Sequence, residues 1–149
     1  MNPHIETPHG RTVNVLVRGR EYLYTYRVKF STPAFKVRFG MLIKTVSGSE
    51  ISGAVTHTAS EGIEYVEAGQ VAHVTFRFGC LLNPAVYFLN AGVLGMVESG
   101  ETFLDRHIDV AMFRVQAEPN LKSTAIADLC VGSDVSLLAS AAASIQTAG

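Results

Sequence analysis

From Tyr22 to Phe30 the chain alternates: Tyr22, Tyr24, Tyr26, Val28 and Phe30 share one parity, Thr25, Arg27 and Lys29 the other. A two-residue period puts successive side chains on opposite faces of an extended backbone, so this stretch reads as a half-buried strand and not as a helix. Its β-branched and aromatic content points the same way. The rhythm recurs at Val13, Val15 and Val17, at Phe35, Val37, Phe39, Met41 and Ile43, and at Ala72, Val74, Phe76 and Phe78. Val86 to Val93 reads as another strand, and the rhythm returns at Ala111, Phe113 and Val115. Turns are expected at Arg18-Gly19-Arg20, around Gly48, from Glu67 to Gln70 and at Asn83-Pro84. Ser52 to Tyr65 reads as a loop with one short extended piece, Met96 to Arg106 as a polar loop, and Ile126 to Val131 as a last strand. Short strands with no convincing helix between them predict an all-β antiparallel sandwich of the immunoglobulin-like or jelly-roll kind.

Apolar residues at 48% and charged residues at 17% of 149 give material for one core. The expected organisation is a lead segment over 1–11, the sandwich over 12–132 and a tail over 133–149 that is either helical or frayed. A formal net charge of -1 without a Lys/Arg cluster argues against a nucleic-acid partner. Leu137 to Ala143 is too short to span a bilayer, and Met1 to Gly10 lacks the order of a secretory signal. The expectation is a cytoplasmic domain without membrane insertion, with Cys80 and Cys130 as reduced thiols.

No phosphate-binding G-x-x-x-x-G-K-[ST] and no G-x-S-x-G occurs. His4, His9, His57, His73 and His107 are scattered without ligand spacing, so no metal is expected. Asp105 and Asp109 form the nearest approach to a carboxylate pair, but a turn cap and an ion pair with Arg106 or Arg114 account for them more simply. No catalytic residue and no cofactor are therefore expected. What remains is a polar sheet face: Arg38 and Lys44 opposite the apolar set of one strand, His73, Thr75 and Arg77 on another, and Asn90 after Phe88 on a third. Planar polar groups among aromatic rings suit a sugar, whose hydroxyls take paired hydrogen bonds and whose C–H faces take a ring. A solvated sheet face has the same pattern.

Three blocks in order, FGMLIKTVSGSEISG from Phe39 to Gly53, VTFRFGCLLNPAVYFLNAGV from Val74 to Val93, and DRHIDVAMFRV from Asp105 to Val115, carry a resemblance. Together they resemble the C-terminal carbohydrate-binding domain of the ATPase subunit of O-antigen polysaccharide ABC exporters, over roughly Val13 to Leu129. The resemblance implies a non-catalytic sandwich that recognises the modified non-reducing end of a bacterial surface polysaccharide and couples chain completion to export. It also implies ABC-transporter ATPase and membrane subunits as partners, and a place at the cytoplasmic face of the inner membrane. A homodimer formed by exchange of a C-terminal strand is implied as well, with Ala125 to Val131 as the matching segment. The chain departs from the family pattern at Pro84-Ala85, where Pro-Gly is usual, and at Val55-Thr56, where Asn-Thr is usual. The expected ligand face comprises Arg38, His73, Arg77 and Asn90, bordered by Thr56 and His57. The rival reading is a structural or protein-interaction sandwich whose role is dimerisation through its tail.

Overall fold

The computed structural model describes residues 1–139 and forms ten strands among them, with no helix. They are β1 (His4–Glu6), β2 (Thr12–Val13), β3 (Val15–Leu16), β4 (Glu21–Lys29), β5 (Ala34–Thr45), β6 (Glu50–Val55), β7 (Ile63–Val66), β8 (Val71–Gly79), β9 (Val86–Val97) and β10 (Gly100–Val115). One sheet runs β2-β1-β4-β8; the other runs β3-β10-β9-β5-β6, with β7 paired to the first half of β5. The pairs are antiparallel except β3 with β10, so the chain is the predicted β-sandwich.

The inward parity of β4 is the one its alternation predicts. Tyr22, Tyr24, Tyr26 and Val28 are buried, and they meet Val74 and Phe76 of β8 together with Phe39, Leu89, Val93 and Phe113 of the facing sheet in one core. Aromatic pairs run through it, including Tyr26–Phe76 at 6.4 Å and Tyr87–Phe113 at 5.3 Å between ring centroids.

Four expectations are corrected. Val13, Val15 and Val17 are not one strand: β2 belongs to the four-stranded sheet and β3 to the six-stranded one, so the chain changes layers at Asn14 and Leu16 becomes the buried residue. In β5 the inward parity changes at Lys36, whose left-handed backbone (φ 50°) leaves Ala34 buried before it and Val37 buried after it. Phe35 is thereby turned outward against Tyr65, at 5.2 Å. Met96 to Arg106 is not a loop, because β9 and β10 continue as a long hairpin past the end of the sandwich. Ile126 to Val131 is not a strand; it makes one bridge, Ala127 with Leu82.

The segment 1–11 supplies β1, whose Ile5 lies in the core. Residues 118–128 are held along the sandwich by side chains. Asn83 Nδ2 donates to Ser123 Oγ, to Thr124 O and to Ala125 O, and Arg18 reaches both Glu118 and Asp128. Beyond them the chain is irregular to residue 139, and the rest of the expected tail lies outside the described residues.

Candidate functional site

The outward face of the six-stranded sheet holds a cleft of about 370 Å3 over β6, β5, β9 and β10. Its floor exists because side chains are missing. Gly40 of β5 pairs with Gly92 of β9, and Gly53 of β6 pairs with Leu42 of β5. A Cβ on Gly92 would stand 3.2 Å from Phe103 Cε1, so the glycine lets the Phe103 ring lie close over the sheet. Arg106 stacks its guanidinium 4.8 Å from the centre of that ring. Among the described residues no carboxylate forms an ion pair with Arg106, which leaves it the uncommitted cation of the rim.

Asn90 closes the other side of the floor. It is 6% exposed, and its Oδ1 accepts a hydrogen bond from the Asp109 N–H at 2.9 Å. Because a backbone N–H only donates, the oxygen must face it, which fixes the orientation of the amide. Nδ2 has no partner among the described residues, although Asn90 lines the cleft. Nδ2 is not fully buried and opens toward the cleft, where a ligand acceptor can pair with it.

Arg38, Thr56 and His57 meet beyond the lining of the cleft, close in sequence to its residues Gly40 and Val55, and are engaged with the protein itself. Arg38 donates through Nε and Nη2 to both oxygens of Glu101, at 2.8 and 2.6 Å, and through Nη1 to His57 O at 3.2 Å. The bidentate contact raises the Arg38 pKa and holds the Glu101 carboxyl below the ordinary carboxylate range. Thr56 Oγ1 accepts from Phe39 N–H and bonds His57 Nδ1. At the opposite end Lys44 Nζ lies 2.7 Å from Asp109 Oδ1.

His73 and Arg77 do not join this group. They stand on β8, on the outer face of the other sheet, where His73 Nε2 bonds Thr25 Oγ1 and Arg77 pairs with Glu21. The single ligand face expected from sequence is thus split between two opposite surfaces. Phe103 and Arg106 were absent from that expectation, since alternation fails around them. The β9–β10 register shifts between Phe103 and Asp105 and again between His107 and Ala111. A second hollow of about 950 Å3 opens beneath the hairpin, lined by Phe30 to Lys36, Val93, Met96 to Glu98, Leu104 and Asp105 among others.

The sequence model of the Wzt C-terminal domain matches residues 1–129. The chain belongs to the Wzt C-terminal domain family. A solved crystal structure of the C-terminal domain of Wzt is similar at a TM-score of 0.75 and 26% identity, covering 91% of this chain and 81% of that one. The sporulation control protein Spo0M from Bacillus subtilis aligns at a TM-score of 0.38 and 14% identity over 78% of this chain and 50% of that one, too distant to inform the reading. No curated protein matches the chain. Membership in the Wzt family fits a carbohydrate-binding, non-catalytic module of an ABC exporter. Among the described residues no helix is long and apolar enough to cross a membrane.

Proposed function

We propose that this Wzt-type domain binds the non-reducing end of a bacterial O-antigen polysaccharide in the cleft on the six-stranded sheet, and thereby couples chain completion to export. The observation that carries the reading is the Asn90 amide, oriented by its bond to Asp109 and with an unpaired Nδ2 open to the cleft, beside the exposed Phe103 ring. A pyranose matches that arrangement: its C–H face covers Phe103, a ring hydroxyl accepts from Asn90, and Arg106 supplies a planar pair of donors. Of the residues expected from sequence, Asn90 contacts the sugar in this reading, while Arg38, Thr56 and His57 border the cleft. His73 and Arg77 lie outside it.

Calorimetric titration of the whole chain with O-polysaccharide purified from the source bacterium tests this. Asn90→Ala, Phe103→Ala and Arg106→Ala should each weaken binding about tenfold, equivalent to about 1.4 kcal/mol. Unchanged affinity in all three variants would remove the cleft from consideration.

The rival dimerisation reading has its own observation. Leu129, Val131, Val135, Leu137 and Leu138 are exposed apolar residues on an irregular segment that follows the anchored stretch. We propose that this segment pairs with a second copy, in the manner the family implies, and that dimerisation and sugar binding coexist in one exporter subunit beside its membrane partners. Light scattering on the whole chain and on a chain ending at Asp128 distinguishes a tail-dependent dimer from a monomer.

A further inference from the structure

Two ion pairs cross the same strand. Arg38 and Lys44 both stand on the outward face of β5, and their partners Glu101 and Asp109 belong to β10, with β9 lying between in the sheet. One pair spans β9 beside Leu94, the register partner of Arg38; the other spans it beside Phe88, the partner of Lys44. Six residues of extended chain separate the two, about 20 Å along the strand. Between them lie Gly40, Leu42, Asn90 and Gly92, the floor of the cleft.

Both bars are held in place. Arg38 and Glu101 side chains are 16% and 24% exposed, and Lys44 is 13% exposed. Asp109 occupies a left-handed conformation (φ 52°) in the bulge opposite Asn90, and the Asn90 side chain accepts its N–H. A non-glycine residue keeps such a conformation only where its surroundings fix it, and here the Asn90 bond and the Lys44 pair do so.

We propose that the Arg38–Glu101 and Lys44–Asp109 pairs are specificity elements that admit a chain end and refuse an internal stretch. This rests on the carbohydrate reading given above. A glycan laid along the strands would have to pass over both pairs. Across the strands, Phe103 and Arg106 stand on β10 as a back wall, while Gly53 leaves the β6 side low, and no strand pairs the far side of β6 among the described residues. The end residue therefore seats against Phe103, and the rest of the chain leaves over β6.

The test compares the linear O-polysaccharide with a cyclised oligosaccharide of the same repeating unit, which offers internal residues and no end, each titrated into the whole chain. Wild type should favour the linear polymer by about tenfold or more. Lys44→Ala combined with Glu101→Ala should bind the cyclised ligand nearly as well as the linear one. Lys44→Ala alone should lose part of the selectivity and the exchanged pair Lys44→Asp with Asp109→Lys should regain it, with near-UV circular dichroism unchanged in both; a merely structural role would move the melts and leave the end preference as it was. A Lys44→Ala/Glu101→Ala variant that binds while keeping full end preference would overturn the proposal, as would a wild type that binds both ligands equally. A wild type that binds neither ligand would instead bring down the carbohydrate reading itself.

Discussion

The Tyr26 hydroxyl, rising from the four-stranded sheet, lies 2.9 Å from the carbonyl oxygen of Gly40 on the opposite sheet and also 3.1 Å from that of Gly92. One buried donor is shared between the two glycines that make the cleft floor, so the core residue of one layer fixes the ligand surface of the other. Burial pushes the Tyr26 phenol far above its ordinary pKa, which keeps it a donor throughout the usable pH range.

Tyr26→Phe removes that donor and should destabilise the fold by about 1–2 kcal/mol, lowering the melting temperature by a few degrees. Tyr24 is the internal control. Its hydroxyl is buried without a partner, so Tyr24→Phe discards an unmet polar group and should be neutral or stabilising in the same melts. Equal losses in the two variants would refute this distinction.

Gly92→Ala should spare the fold and impair the cleft. No positive φ is recorded for Gly92, and the new methyl meets chiefly the movable Phe103 ring at 3.2 Å. Displacement of that ring should weaken polysaccharide binding by about tenfold, measured by calorimetry, with near-UV circular dichroism reporting the intact core.

The Arg38–Glu101 pair predicts an acid-dependent contribution to stability. Its hydrogen bonds to Arg38 depress the folded-state pKa of Glu101, so the carboxylate binds its proton more readily in the unfolded chain. The stabilisation is complete above the ordinary glutamate range and is lost as pH falls through the depressed value. Denaturant titrations of wild type and Glu101→Gln should therefore differ at neutral pH and converge in strong acid. A constant difference across that window would exclude the pair as its source.

Arg18 holds Glu118 and Asp128 at once, and Asp128 N–H donates to Leu81 O. Arg18→Ala should release residues 118–128 while leaving the sheets folded. Limited proteolysis should then cut within that stretch faster than in wild type, and hydrogen exchange at Asp128 should rise. Unaltered cleavage would show that the Asn83 side chain and the backbone bonds to Leu81 and Asn83 retain the segment without Arg18.

Much of the sandwich was legible because strands with one wet face show it directly. Tyr22 to Val28 and Ala72 to Phe78 keep strict parity, and the structure buries the side that parity names or leaves it half-buried. Three of the misread parts share one physical cause, a local change in backbone direction that parity cannot carry. Lys36 reverses the inward face of β5, Asn14 carries the chain between sheets, and two bulges disguise β10 as a loop. The candidate site fell among those places. Asn90 was visible because it is the one polar side chain in an otherwise apolar strand; Phe103 and Arg106 were hidden by the bulges that hold them over the cleft. His73 and Arg77 looked equivalent to Arg38 because a sequence shows which side of a strand is wet, but not which sheet the strand joins.

The single-residue step at Asn14 carries a mechanical consequence. It stitches the two layers with one residue between β2 and β3, and β3 then lies alongside the last residues of β10. Sideways slippage of one layer over the other has almost no slack to draw on. Tyr26 is thereby kept aligned beneath both glycine carbonyls, and the cleft inherits its dimensions from a seam at the far end of β10.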